Sequence, residues 1–224
     1  LVSAALAKQE IEAKRHASIV ARRCYSIHMK PRESRLGAQG HESWKGVRVF
    51  TIGHSTRTLD ELVAILRSFD VTVLVDIRTI PRSRHNPHFN AEALTIELPA
   101  RGLRYVHLKG LGGLRKPRAD SPNQGWRNTS FRGYADYMGT DDFESALARL
   151  RELAQDGCVA ILCAEAVPWR CHRSLVADAL VARGAHVEHI SALSRSKPHR
   201  MTPFAQVREE RVTYPNESDE RHSG

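Results

Sequence analysis

"VTVLVDI", residues 71–77, is the stretch that decides the fold. Its apolar residues follow one another with little polar alternation, and valine dominates. That is the composition of a strand buried on both faces, which occurs where helices cover a parallel sheet on each side. The flanks supply the helices. Upstream, "TLDELVAILRSF" places Leu59, Leu62, Val63, Leu66 and Phe69 on one helical face. Thr58 and Glu61 have the spacing of a capping box, in which each side chain satisfies a backbone N–H at the helix start. Before that helix, "VRVFTI" (47–52) reads as another strand.

The same alternation continues downstream. "FNAEALTIELPARG" predicts a helix with Asn90 as its cap and Gly102 as its stop, although Pro99 falls near its end. "LRYVHL" (103–108) is the third strand. A long basic loop precedes helical "FRGYADYM" and "DDFESALARLRELAQDG", the latter opened by Asp141 with Glu144 and closed by Gly157. "CVAILCA" (158–164) is the fourth strand, "CHRSLVADALVARG" a helix ending at Gly184, and "HVEHI" (186–190) a fifth strand. Strands alternating with helices predict a single α/β domain over residues 47–194, with a mainly parallel sheet, flanking helices and right-handed crossovers. Residues 1–46 read as an N-terminal extension, disordered or partly helical. Residues 195–224 are polar, lack periodicity, and read as a loose tail. Met29 is a candidate start, which would make residues 1–28 an upstream extension. The alternative, an organelle-targeting helix, is favoured by the Arg-rich "VARRC" and opposed by Glu10 and Glu12.

Composition narrows the class. With 41% hydrophobic and 26% charged residues the chain has the make-up of a soluble globular protein, and it lacks the run of about 18 apolar residues that a membrane span needs. Four cysteines (24, 158, 163, 171) without a secretory pattern fit a reducing cytoplasm, where we expect the protein, better than a disulfide scaffold. The formal charge of +9 is unevenly spread: between Arg101 and Arg132 eight Lys or Arg residues face one acid, Asp120. Such a loop attracts anions, whether nucleic acid, nucleotide or small phosphorylated compound. The plainer reading is a solvated basic surface.

In open α/β sheets ligands bind beyond the carboxyl ends of the strands. Here strand one ends in Gly53, His54 and Ser55, strand two in Asp76 and Arg78, strand three in His107, Lys109 and Gly110, and strand four in Cys163 and Glu165. Four separate segments thus bring a histidine, a carboxylate, an arginine and a thiol to one rim. Each has a structural alternative: His54 as a turn residue, Asp76 with Arg78 as an ion pair, and His107 as a satisfied core histidine.

The densest segment is "ILCAEAVPWRCHRS" (161–174). Cys163 ends a strand, Pro168 favours a turn, and Cys171, His172 and Arg173 open a helix. A helix start with arginines favours anions and biases a nearby thiol toward thiolate. Three chemistries compete. Cys163 can be a nucleophile with Arg170 or Arg173 holding an anionic group, although six residues separate Cys163 from Arg170 where the familiar phosphatase spacing has five. Cys163, Cys171 and His172, with His54, can bind zinc or iron, although C-x7-C-H matches none of the compact zinc spacings. Glu165 can act as general acid or base while the cysteines only pack.

With "TIGHS", "VDIRTIPRSR", "HFN", "LKGLGG", "FRGYADYM" and "LCAEAVPWRCHR" in this order, the chain resembles the bacterial family known as domain of unknown function 488, over roughly Val47 to Ile190. The residues that recur in that family fall here on Gly53, His54, Ser55, Asp76, Arg78, Pro81, Ser83, Phe89, Gly110, Tyr134, Cys163, Glu165, Cys171, His172 and Arg173. The resemblance implies an α/β fold and a cluster built from these residues. It does not choose among the chemistries.

The leading expectation is an enzyme acting on an anionic substrate: a nucleotide, a nucleic acid end or another phosphorylated compound. His54, Asp76, Cys163 and Glu165 are the candidate catalytic residues. Ser55, Arg78, His107, Lys109, Tyr134, Arg170, His172 and Arg173 are the candidate substrate contacts. No metal is assigned, and the sequence names neither a cofactor nor an oligomeric state. The first alternative is a nucleic-acid-binding module that uses the loop from Arg101 to Arg132, with Trp126, Phe131 and Tyr134 for stacking. The second is a redox or metal sensor built on Cys163 and Cys171.

Overall fold

The computed structural model describes residues 43–216. The expectations for Met29, the Arg-rich "VARRC" stretch and Cys24 lie outside them. Six strands form one sheet: β1 (Arg48–Gly53), β2 (Val73–Asp76), β3 (Arg104–His107), β4 (Val159–Cys163), β5 (His186–Ala192) and β6 (Arg195–Pro198). Their spatial order is β3-β2-β4-β1-β5-β6, and every neighbouring pair is parallel except β5 with β6. Five helices cover it: α1 (Leu59–Arg67), α2 (Ala91–Ala100), α3 (Thr129–Tyr137), α4 (Asp141–Asp156) and α5 (Arg173–Ala182). This is the single α/β domain expected from the strand and helix patterns.

Near-continuous apolar strands are explained by the two cores they serve. Val49, Val73, Val75, Val159 and Ile161 pack with residues of α3, α4 and α5 on one face. Phe50, Ile52, Leu74, Ala160 and Leu162 pack with Leu62 and Leu66 of α1 and Leu94 and Leu98 of α2 on the other. Successive side chains point to opposite faces, so every position of a central strand is buried, each large side chain contributing about 1.5–3 kcal/mol. Thr58 and Glu61 make both bonds of the capping box. Asn90 precedes α2 but does not cap it: its side-chain oxygen accepts from Ser83 N at 2.6 Å, tying down the preceding loop. The cap of α4 is Thr140, one residue earlier than expected, accepting from Phe143 N.

The loose tail expected beyond Ser194 is not what residues 195–216 form. They add β6, then a hairpin of β7 (Gln206–Arg208) and β8 (Arg211–Thr213), and end near the fully buried Tyr214. The fastening is polar. Asp178 of α5, fully buried, accepts from His199 Nε2 (2.7 Å), Thr202 N (3.0 Å), Thr202 Oγ1 (2.7 Å) and Tyr214 Oη (2.8 Å). Four donors from three points of the segment converge on one carboxylate, so no apolar periodicity is needed to order it. At the other end, Trp44 is buried and Arg151 donates to Ser43 O at 2.9 and 3.1 Å, so the packed unit begins before residue 47.

The topology fixes where a ligand can enter. From β2 the chain runs outward through α2 to the edge strand β3, whereas from neighbouring β4 it runs through α5 toward β5 on the opposite side. Adjacent parallel strands whose connections diverge leave a crevice at their carboxyl ends. The loops that follow Asp76 and Cys163 form its two banks.

Candidate functional site

Two polar clusters meet at this crevice. The first is built on β2. Asp76 is fully buried and its carboxylate accepts from Arg78 N (3.0 Å), from Arg78 Nε (2.9 and 3.1 Å), from Arg78 Nη2 and from Tyr105 Oη (2.8 Å). Arg78 Nη2 also donates to Phe89 O at 2.7 Å. Arg78 Nη1 lies 3.2 Å from His54 Nε2, and His54 Nδ1 lies 2.9 Å from Ser55 O. A carbonyl can only accept, so Nδ1 carries the His54 proton and Nε2 accepts from the guanidinium. The ring also stacks on Phe89 with centroids 4.2 Å apart. Burial holds the His54 pKa below its ordinary value, with the Arg78 cation adding to that effect. For Arg78 burial works against the charge, but the Asp76 carboxylate outweighs it and the pKa is raised. The Tyr105 hydroxyl is pushed up by burial and by Asp76.

The second cluster is built where β4 gives way to α5. Cys163 closes β4 in register with Gly53, and a 3-10 turn at Pro168–Arg170 returns the chain to Cys171. Side-chain ligand atoms of Cys163, Cys171 and His172 lie within 4.8 Å of one another, with Cys171 Sγ 3.7 Å from His172 Nδ1. A hydrogen bond from the Cys171 thiol lowers the Cys163 pKa against its burial, helped by His172 and Arg173. The Cys171 pKa is raised correspondingly by that bond and by burial. Arg173 is 1% exposed; its Nη2 donates to Glu165 O (3.1 Å) and Ala166 O (3.2 Å), while Nε and Nη1 have no partner. His172 Nε2 is buried without a partner as well. Burial lowers the Arg173 pKa, the neighbouring thiols opposing this.

Two glycines allow this closeness. A Cβ on Gly53 would lie 1.9 Å from Glu165 O, so only glycine lets the β4 loop cross the end of β1. A Cβ on Gly113 would lie 2.6 Å from His172 Nδ1.

Between the clusters opens a cleft of about 460 Å³, within the range of small-molecule sites. Of the expected site residues, Arg78, Glu165, Arg170 and His172 line it, as does Cys171. Cys163, Arg173, His54 and Asp76 are buried and do not contribute to its wall. Glu165 is exposed, its Oε1 accepting from Val167 N at 3.1 Å. The remaining expected contacts lie elsewhere. Ser55 accepts from His54 through its carbonyl, His107 Nε2 donates to Arg78 O (2.8 Å), and Lys109 is exposed outside the cleft. Tyr134 is fully buried, its hydroxyl donating to Leu111 O (2.9 Å) and its ring lying against His172. Thr79, Gly113, Asn128 and Ser130 line the cleft without having been singled out in the sequence, where only their place beside rim motifs marks them.

The family model described as "Domain of unknown function DUF488" matches residues 58–180, more than half of the chain. The chain belongs to this family. The matched part of this DUF488 chain contains both banks of the crevice, though not β1, Gly53 and His54. No curated protein and no solved structure matches the chain. Among the described residues no helix is long and apolar enough to cross a membrane.

The basic loop is largely spoken for. Arg101, Arg104 and Arg118 pair with carboxylates, Arg115 stacks over Tyr137 and Arg132 donates to Gln124. Trp126 packs against Phe131, Phe204 and Tyr214. With Tyr134 buried and Trp126 packed among other rings, Phe131, which also lines the cleft, is what remains of the aromatic platform expected of a single-strand binding surface.

Proposed function

We propose that this DUF488 protein is an enzyme that acts on an anionic substrate, a nucleotide or another phosphorylated compound, in the cleft between the β2 and β4 loops. The observation that carries this reading is Arg173: a buried guanidinium with two nitrogens unpartnered, directly behind the Cys171 and His172 wall. A buried cation without a carboxylate is costly to maintain, and a preorganised positive centre beside a cleft is suited to stabilise developing negative charge. Arg170 and the remaining Nη1 hydrogen of Arg78 reach the cleft wall and seat the anion. Glu165, exposed on the same wall, transfers the proton. Cys163, behind the wall, acts through its contact with Cys171, which lines the cleft, and Asp76 and His54 are positioning residues that act through Arg78.

The test is a turnover screen over nucleotides and phosphate esters, followed by variants on the best substrate. Glu165→Gln and Cys163→Ser are expected to reduce kcat at least about 100-fold with unchanged far-ultraviolet circular dichroism. Arg170→Gln is expected mainly to raise KM. Binding of single-stranded DNA that falls steeply with salt, survives both substitutions and comes with no turnover would instead establish a nucleic-acid-binding module.

A further inference from the structure

We infer that Cys163, Cys171 and His172 form a zinc site with an open coordination position facing the cleft. The inference rests on the proposed function only for its location; the metal chemistry stands on three separate observations.

The first is distance. In a tetrahedral site with Zn–S bonds of about 2.3 Å and Zn–N bonds of about 2.0–2.1 Å, a sulfur and a nitrogen ligand sit about 3.6 Å apart. Cys171 Sγ and His172 Nδ1 are 3.7 Å apart, and all three ligand atoms fall within 4.8 Å. No other group of three such side chains gathers this closely among the described residues. The second is the state of the surrounding polar atoms. His172 Nε2 and the Nε and Nη1 groups of Arg173 are buried without partners. Thiolates bound to a metal are strong acceptors, and the free Arg173 N–H groups, which bond to neither sulfur, are the donors available to them as the outer shell that metal sites require. The third is access. Cys171 and His172 line the cleft, so a metal held by three protein ligands would present its fourth position to a water or substrate oxygen, as catalytic rather than structural zinc does.

Charge supports zinc over a harder cation, because two sulfurs and one imidazole are soft or borderline ligands. A dication with two thiolates and a neutral imidazole is uncharged, which leaves Arg173 as the net positive charge of the site. An anionic substrate oxygen in the fourth position neutralises it. Glu165 on the same wall would then accept the proton of a metal-bound water, the role a non-ligand carboxylate plays beside activated zinc water. The spacing disguises the site: seven residues lie between the two cysteines, and the strand, the 3-10 turn and the helix start bring them together.

The experiment uses the reduced, untagged full-length chain. Zinc is titrated in competition with a chromophoric chelator, and cobalt(II) is added to a second sample for its absorption spectrum. One zinc per chain is expected. A thiolate-to-cobalt charge-transfer band with tetrahedral-type visible bands is expected as well, giving a readout that needs no variant. Cys163→Ser and Cys171→Ser should each weaken zinc by more than about 100-fold, and His172→Gln by at least about 10-fold. Cys24→Ser should leave the stoichiometry at one. A folded wild type that binds no zinc, a cobalt spectrum without thiolate character, or a Cys171→Ser variant within about 3-fold of wild type overturns the site. If zinc fails while Cys163→Ser still abolishes turnover, the enzyme reading stands with Cys163 as a free nucleophile. If zinc binds and no anionic substrate is turned over, the metal site stands and the enzyme reading falls.

Discussion

Arg78 and Arg173 stand on opposite banks of one crevice, and both guanidinium groups are buried. Arg78 has a buried carboxylate, a backbone carbonyl and a histidine nitrogen as acceptors, whereas Arg173 has two loop carbonyls and no carboxylate at all. A buried charge with all its partners in place is a building element, whereas one with unpartnered N–H groups keeps donors to spare. On the proposed function, the β2 bank is the fully paired wall of the cleft and the β4 bank its chemical side.

The largest stability effect is expected where pairing is complete. Asp76→Asn leaves the Arg78 cation buried without its counter-charge and should cost about 3–5 kcal/mol in urea unfolding, because removing one member of a buried pair strands the other. A loss below about 1 kcal/mol would mean that Arg78 finds water or another acceptor, and the contrast between the banks would collapse. Next is Gly53→Ala, expected to cost about 3 kcal/mol, the upper end of overpacking, because the new methyl meets backbone atoms of Glu165 rather than a movable side chain. The same variant should disturb the β4 bank more than the β2 bank, visible as altered zinc affinity.

How far the sequence revealed these differences depends on the kind of force involved. The parallel sheet was legible because burial on both faces leaves a simple mark: consecutive apolar residues in "VTVLVDI" and "CVAILCA". The rim was legible because strand ends are where polar residues interrupt such runs. Asp76, Arg78, Cys163 and Glu165 all lie at this rim, and the Asp76–Arg78 ion pair weighed as the structural alternative is formed, but the rest of the β2 cluster could not be read, since Tyr105 and the Phe89 carbonyl reach it from distant segments. The grouping of both cysteines with His172 was weighed as a zinc or iron site, but the irregular turn between them gives a spacing that matches no compact zinc pattern, and His54 belongs to the other cluster. Residues 195–216 misled for the same reason: their order comes from hydrogen bonds to Asp178 across 21 to 36 residues, and such bonds leave no periodicity. Lys109 was drawn into the expected site by its place at the end of strand three and Tyr134 by the family resemblance, yet one faces solvent outside the cleft and the other the core.

A third buried network sharpens the comparison through pH. Thr51 Oγ1 lies 2.7 Å from His189 Nδ1, His189 Nε2 2.8 Å from His199 Nδ1, and His199 Nε2 2.7 Å from Asp178. With Asp178 accepting the His199 proton, His189 donates to His199 and accepts from Thr51, so this chain is satisfied with His189 neutral. Burial, with His199 and Arg173 adding, pushes the His189 pKa down to about 3, and burial lowers that of His54 too. The unfolded histidines titrate near 6.5. Between that value and the lower folded one the unfolded state binds more protons, so stability is complete above about pH 6.5 and is lost as pH falls. Each histidine contributes at most about 1.4 kcal/mol per pH unit. Unfolding midpoints at pH 7, 6 and 5 should decline accordingly, and His189→Gln should flatten the decline. An unchanged slope would place the pH dependence elsewhere.

The smallest stability change is expected at Arg173. In Arg173→Met the desolvated cation disappears, the side chain still fills the space, and the two carbonyls that lose a donor belong to exposed residues, Glu165 and Ala166. Removing a buried charge that lacks a carboxylate partner should shift stability by no more than about 1 kcal/mol in either direction. Function should not be spared: turnover of an anionic substrate should fall at least about 100-fold, the scale of losing one preorganised charge-stabilising group, and zinc affinity by about 10-fold through loss of the outer-shell donors. A destabilisation approaching that of Asp76→Asn would show that Arg173 is held by the Cys163 thiolate as firmly as Arg78 is held by Asp76, making both banks structural. A variant that is as stable as the wild type and inactive would separate them, with rigidity on β2 and chemistry on β4.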